Sequence, residues 1–250
     1  TEPRPMPSNP AKGAAFMLQG IRLIARPGLK RFVLVPLLIN IAVFSGAIWY
    51  GKAQFDGLML RMQSAVPDWL GWLEWLLWPI FILALLIIVF YSFTLVANLI
   101  ASPFNSLLAE KTEALLTGRS LENDGDMKKL LRELPGTLID ELRKIGYAIL
   151  WSIPFLILAF AIPVVGAAIW FLFTAWMLAV QYSDFPMGNH GLKFRAMRAR
   201  LSKRRFLSIG FGAAAAGLTM IPVLNFIAMP AAVAGATAMW VRELEAAESR

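Results

Sequence analysis

A short basic segment near the N-terminus has the residue types that bind a tetrahedral oxyanion. It consists of Gly28, Leu29, Lys30 and Arg31, and a proline precedes it. Glycine lets a ligand come close to the backbone, and the free N–H groups at the start of a helix attract anions. Lysine adds a mobile charge, and arginine can bind two oxyanion oxygens at once. The segment therefore predicts a site for a divalent anion such as sulfate, with the backbone N–H groups of Gly28, Leu29 and Lys30 among its donors.

The same charges have a second interpretation, which residue chemistry alone favours. Cations in the first turn of a helix oppose the helix dipole. Lysine and arginine beside an apolar stretch often mark the cytoplasmic side of a membrane. On this interpretation Arg26, Lys30 and Arg31 are topology signals, and the N-terminus lies in the cytoplasm.

Other groups of reactive residues do not form a recognisable catalytic site. The single histidine, His190, lies in a loop sequence without a second imidazole or metal-ligand spacing, and we expect it to be a hydrogen-bonding residue rather than a base. The sequence has no nucleophile elbow, phosphate-binding loop or dinucleotide fingerprint, and it has no cysteine. We therefore expect a protein that is not an enzyme, binds no metal, needs no cofactor and is not driven by ATP.

The composition is that of a membrane protein. Of the 250 residues, 58% are hydrophobic and 16% are charged, against about 45–50% and about 25% in soluble domains. Apolar runs reach the length that crosses a bilayer. The net charge of +8 is concentrated beside these runs, as in topology signals, and no nucleic-acid-binding signature accompanies it. The sequence predicts a multi-pass integral membrane protein that contacts lipid and binds no nucleic acid.

The periodicity of the apolar residues predicts an all-α fold. We expect a single membrane domain over residues 1–250, and its helices must position the basic segment. The predicted elements are an amphipathic interfacial helix (10–26), transmembrane helices (32–50 and 69–101), a cytoplasmic helical region (102–144) and two membrane hairpins (145–182 and 206–241). For residues 10–26, a helix packed on the rest of the protein is an equally good alternative.

Each predicted hairpin is broken by an Ile-Pro-Val sequence, at Ile162-Pro163-Val164 and at Ile221-Pro222-Val223. Each arm before its break has about 15–17 apolar residues, or about 22–26 Å as a helix, which is short of a hydrocarbon core of about 30 Å. Half-penetrating hairpins with buried tips fit this pattern. Ordinary pairs of spans, giving four to six membrane helices in all, are the alternative.

Three polar residues in or beside apolar stretches are candidates for lining a pathway: Asn40, Asn98 and Glu110. A lone asparagine in a membrane helix also serves as a packing contact between helices, and Glu110 also fits a solvated helix face.

Several segments, in order and over nearly the whole chain, resemble CysZ-type bacterial sulfate permeases. They are Gln19-Gly20-Ile21-Arg22-Leu23, Pro27-Gly28-Leu29-Lys30-Arg31-Phe32, Pro67-Asp68-Trp69-Leu70, Ala101-Ser102-Pro103-Phe104-Asn105-Ser106-Leu107-Leu108-Ala109-Glu110, Trp176-Met177-Leu178-Ala179-Val180-Gln181-Tyr182, Met220-Ile221-Pro222-Val223-Leu224-Asn225 and Gly235-Ala236-Thr237-Ala238-Met239-Trp240-Val241.

The resemblance implies sulfate uptake across the bacterial inner membrane for cysteine biosynthesis, by a proton-linked or channel-like route. It also implies two long transmembrane helices, two half-penetrating hairpins and a homo-oligomer. The sulfate site of the family falls on the basic segment, where Lys30 replaces an arginine that is often found there. The competing hypothesis is a non-transporting membrane scaffold or regulatory subunit that binds anionic lipid or a partner protein.

Overall fold

The computed structural model describes residues 9–65, 74–118 and 127–245, and helices are the regular elements in these ranges. They are α1 (Pro10–Ile24), α2 (Lys30–Ala65), α3 (Glu74–Thr117), α4 (Met127–Ala161), α5 (Pro163–Asn189), α6 (Phe194–Lys203), α7 (Arg205–Thr219), α8 (Pro222–Met239) and a π-helical turn (Trp240–Leu244). The predicted all-α fold is confirmed.

Four segments in the described ranges are long and apolar enough to cross a membrane. They are Lys30–Gly51, Arg143–Ala161, Val164–Asn189 and Pro222–Leu244, and the shorter apolar stretch Trp78–Phe93 lies in α3. These lengths and compositions confirm an integral membrane protein of the helical class.

Two helices are longer than their predicted transmembrane parts. Helix α2 runs on to Ala65, and α3 continues through Pro103 to Thr117. A proline inside a helix removes one hydrogen bond and favours a kink, but the flanking turns can hold the helix together. The residues predicted as a cytoplasmic helical region (102–144) are thus the end of α3 and the beginning of α4, and 119–126 lie outside the described residues.

The chain divides into two compact units. One contains Thr1–Val33 and Asn105–Arg250, and the other is Leu34–Phe104. In the second unit, α2 and α3 contact each other at the rings of Phe44 and Phe93, whose centroids are 4.7 Å apart. The basic segment belongs to the first unit.

Helix α1 packs against α7 and α8 through glycines. A Cβ on Gly13 would lie 2.0 Å from the carbonyl oxygen of Leu207, and a Cβ on Gly20 would lie 2.0 Å from that of Ala231. Small residues permit this close approach of helix backbones. The structure shows that α1 is packed on the rest of the protein, as one of the two alternatives for residues 10–26 expects. Its position at a membrane surface stays a prediction.

The two hairpins turn at the predicted sequences. Helices α4 and α5 are separated by Ile162 alone, and α7 and α8 by Met220 and Ile221. Pro163 and Pro222 begin the second helix of each pair, where a missing N–H costs nothing. The tips are exposed in the isolated chain. That the hairpins penetrate only half of a membrane stays a prediction.

An ion pair joins the open end of each hairpin. Lys144 Nζ lies 2.5 Å from Asp184 Oδ2 in the first hairpin. Arg204 Nη1 lies 3.4 Å from Glu243 Oε2 in the second. The other oxygen of Glu243 lies 2.5 Å from Lys12 Nζ, which attaches α1 to the same end.

Candidate anion-binding site

The basic segment forms a tight turn between α1 and α2. Gly28 has φ +92°, in the left-handed region that favours glycine. The carbonyl oxygen of Arg26 accepts hydrogen bonds from the N–H groups of Leu29 (3.2 Å) and Lys30 (3.4 Å). Helix α2 then begins at Lys30, so the two cations occupy its first turn as predicted.

The free backbone donors differ from the prediction in two of three positions. The N–H groups of Leu29 and Lys30 are bonded to Arg26, because a carbonyl of the turn that follows α1 caps the start of α2. Among the described residues, no acceptor lies opposite the N–H groups of Gly28 and Arg31. These two donors remain available at the start of the helix.

The basic segment has one buried apolar side chain and two exposed cationic side chains. Leu29 is 3% exposed and belongs to the hydrophobic core. Lys30 and Arg31 are exposed. Neither is paired with a carboxylate in the described part of the chain, although the Arg31 guanidinium lies 4.9 Å from the ring centroid of Phe32. The buried leucine fixes the turn, and the cations project from it with no described carboxylate to neutralise them.

Replacing Gly28 by alanine is expected to weaken anion binding by straining the turn. A Cβ at this position would meet no atom within 4 Å, so the cost is conformational, about 1–2 kcal/mol for an L-residue in the left-handed region. Equilibrium binding of radiolabelled sulfate and the melting temperature should both decrease. Gly46→Ala, in α2 and equally open, is the control; equal affinities of the two variants would refute the role of the turn.

The structure describes the side-chain surroundings of two of the three pathway candidates. Asn40 is half-buried, and its Oδ1 has no donor among the described residues. Glu110 Oε1 lies 3.0 Å from Lys111 Nζ. The side chain of Asn98 lies outside the described residues. Asn40 and Glu110 belong to different units, and a pathway that they share stays a prediction.

A buried polar cluster in the first unit was not predicted. Its centre is Glu113, whose two carboxylate oxygens lie 2.9 and 3.0 Å from Nε2 of His190. The ring of His190 lies 5.3 Å from that of Trp240, and the Arg200 guanidinium lies 5.0 Å from the same tryptophan ring. His190 is thus a hydrogen-bonding residue at the end of α5, as expected. Its partner is distant in sequence, and nothing local to either residue indicates the pair.

Removing the imidazole should destabilise the first unit. His190→Ala leaves the buried carboxylate of Glu113 without this partner, and hydrogen bonds to charged groups contribute about 1.5–3 kcal/mol. A thermal melt in detergent should show a clear decrease in melting temperature. Lys111→Ala, which breaks an ion pair with a largely exposed cation, is expected to have little effect. If the two variants melt alike, the Glu113–His190 contact contributes no more than a surface pair.

The described elements of the chain are helices, and four apolar segments among them are long enough to cross a membrane, which defines an integral membrane protein of the helical class. Two cations without a carboxylate partner among the described residues lie in the first turn of one of these segments. The family model described as "Sulfate transporter CysZ/Etoposide-induced protein 2.4" matches residues 16–230. The chain belongs to this family.

Relatives in this family are similar over almost their whole length. A protein of Salmonella typhimurium named "Sulfate transporter CysZ" is 45% identical over 236 residues, which cover 93% of this chain and 92% of the relative. Proteins of the same name from Salmonella paratyphi A and Salmonella typhi are each 44% identical with the same coverage. The resemblance inferred from the sequence segments is confirmed.

Proposed function

We propose that the protein carries sulfate across the bacterial inner membrane and so supplies sulfur for cysteine biosynthesis. The observation that carries this proposal is the 45% identity, over 93% of the chain, to a protein named for sulfate transport. The membrane-length helices and the unpaired cations of the basic segment are consistent with an anionic cargo.

Sulfate binds at the basic segment in this proposal. The N–H groups of Gly28 and Arg31 point to an oxyanion at the start of α2, and the side chains of Lys30 and Arg31 neutralise its two charges. Leu29 contributes its buried side chain, which holds the turn in place. The segment lies on the cytoplasmic side, as does the N-terminus, because lysine and arginine concentrate on that side of membrane proteins.

The transport is driven by a gradient, either linked to protons or channel-like, since the sequence has no phosphate-binding loop for ATP. We also propose that several copies assemble in the membrane. The described helices carry many exposed large apolar side chains, among them Phe160 (80%) and Phe226 (74%), and lipid or another copy must cover them.

Sulfate flux into liposomes that contain only this protein tests the function. Uptake of radiolabelled sulfate should exceed that of empty vesicles, and an imposed proton gradient distinguishes linked from channel-like transport. Flux equal to that of empty vesicles would overturn the proposal. It would favour the competing scaffold or regulatory role, with the basic residues binding anionic lipid or a partner protein.

Replacing Lys30 by arginine is expected to tighten sulfate binding several-fold. A guanidinium can donate two parallel hydrogen bonds to an oxyanion, whereas an ammonium acts as a single charge. Isothermal titration of the purified protein with sulfate measures the change. An unchanged affinity would indicate that the Lys30 side chain does not contact the anion, and a weaker one would contradict the expected gain from a second hydrogen bond. Lys203→Arg, at an exposed lysine in α6, is the control.

A further inference from the structure

A groove of about 440 Å³ lies along α1, directly before the basic segment. Its lining residues are Ala15, Leu18, Gln19, Arg22, Leu23 and Arg26. Arg22 lies in α1 and Arg26 follows two residues after its end, and both are exposed. The groove therefore has two guanidinium groups on its wall, and nothing assigned so far to the basic segment uses them.

The charges at this groove are not balanced by carboxylates among the described residues. Neither Arg22 nor Arg26 pairs with a carboxylate in the part of the chain that the structure describes. A third arginine is close, because Nη1 of Arg242 lies 3.4 Å from Oε1 of Gln19. The neighbouring carboxylate of Glu243 is already shared by Lys12 and Arg204. Like charges on the wall of one groove repel each other, and a bound anion would reduce this repulsion.

The groove is joined to the basic segment through one residue. Arg26 lines the groove with its side chain, and its carbonyl oxygen accepts the N–H groups of Leu29 and Lys30. An anion held at the Arg26 guanidinium is therefore next to the turn from which Lys30 and Arg31 project.

We propose that Arg22 and Arg26 form a second oxyanion subsite, which receives a sulfate-type dianion before it reaches the basic segment. Each guanidinium can bind two oxygens of a tetrahedral anion. Because Oε1 of Gln19 accepts from Arg242, the amide NH2 of Gln19 remains as a further donor. The transfer to the basic segment depends on the proposed function; binding of the anion to the two arginines does not.

Such a subsite acts mainly by raising the local concentration of sulfate at the groove. It is expected to have little effect on the steps of transport that follow binding. In proteoliposomes, the double variant Arg22→Gln with Arg26→Gln should raise the KM for sulfate about tenfold and change the maximal rate less than about twofold. The control, Lys193→Gln with Arg195→Gln, removes two exposed cations of similar type and should leave both values unchanged. Equal KM values for the two variants would overturn the transfer role.

Protection of the arginines from chemical modification tests the subsite directly. This experiment needs neither a transport assay nor a substituted protein. Purified protein in phosphatidylcholine vesicles is treated with phenylglyoxal, and peptide mass spectrometry measures modification of each arginine. Sodium sulfate should reduce modification of Arg22 and Arg26 several-fold relative to sodium chloride of equal ionic strength, while Arg195 changes equally in both salts. This result supports the subsite even if no flux is found.

Two outcomes would overturn the proposal. Equal modification of Arg22 and Arg26 in both salts would show that the groove holds no dianion. Protection by vesicles containing phosphatidylglycerol, with none by sulfate, would show that the arginines bind the phosphate of a lipid headgroup and not a free substrate.

Discussion

Replacing Lys30 and Arg31 together by glutamine is expected to weaken sulfate binding at least about a hundredfold. Hydrogen bonds to charged groups contribute about 1.5–3 kcal/mol each, and every 1.4 kcal/mol is tenfold in affinity. Both side chains are exposed and lack a carboxylate partner among the described residues, so their loss removes contacts to the ligand rather than contacts within the protein. Equilibrium binding of radiolabelled sulfate to the purified protein measures the change.

The same variant should keep its fold, which separates a binding defect from unfolding. Substitutions of exposed side chains usually change the free energy of unfolding by less than about 0.5 kcal/mol, so the melting temperature should match that of the unaltered chain. Lys193→Gln with Arg195→Gln removes the same charge from the beginning of α6 and should bind sulfate normally. An unchanged affinity for the Lys30/Arg31 variant would place the sulfate site elsewhere.

Adding one methyl group to α1 at Gly20 is expected to destabilise the first unit strongly. In Gly20→Ala the new Cβ would lie 2.0 Å from the carbonyl oxygen of Ala231 and 2.7 Å from the amide nitrogen of Gly235. Both are backbone atoms of α8, so α1 has to move away from it. Overpacking of this kind costs about 1–3 kcal/mol and sometimes more. A decrease in melting temperature, with aggregation on size-exclusion chromatography in detergent, is the expected result.

The matched control is Gly217→Ala in α7, where a Cβ would meet no atom within 4 Å. Alanine is the better helix former by about 0.5–1 kcal/mol, so this variant should be as stable as the unaltered chain or slightly more so. If Gly20→Ala also melts at the unaltered temperature, α1 does not pack on α8 as closely as the structure shows.

Features that depend on local chemistry were predictable from the sequence. Proline at the first position of a helix is a local preference, so Pro163 and Pro222 indicated where the hairpins turn. The cations Lys30 and Arg31 were likewise expected at the start of α2, because Pro27 and Gly28 interrupt the preceding helix. The membrane class followed from the lengths of the apolar runs.

Features that depend on tertiary contacts were not predictable in the same way. The Arg26 carbonyl oxygen accepts hydrogen bonds from two of the three N–H groups that were expected to be free. The direction of this carbonyl depends on the left-handed turn at Gly28. Glu113 and His190 are 77 residues apart in sequence, and neither has a local pattern that indicates the other. The packing of α1 depends on Gly13 and Gly20 meeting backbone atoms of α7 and α8, and a single sequence does not identify such partners.

The ion pairs that join the open end of each hairpin have a consequence for how the chain enters the membrane during synthesis. No charged side chain lies between Lys144 and Asp184, or between Arg205 and Arg242. Moving one ionised side chain to the bilayer centre costs at least about 2.5–3.5 kcal/mol, and neither hairpin incurs this cost. We expect Lys144 and Asp184 to stay on the side from which the first hairpin enters, and Arg204 and Glu243 to do so for the second. Each hairpin can therefore insert as a unit from one face, without translocation of a charged loop.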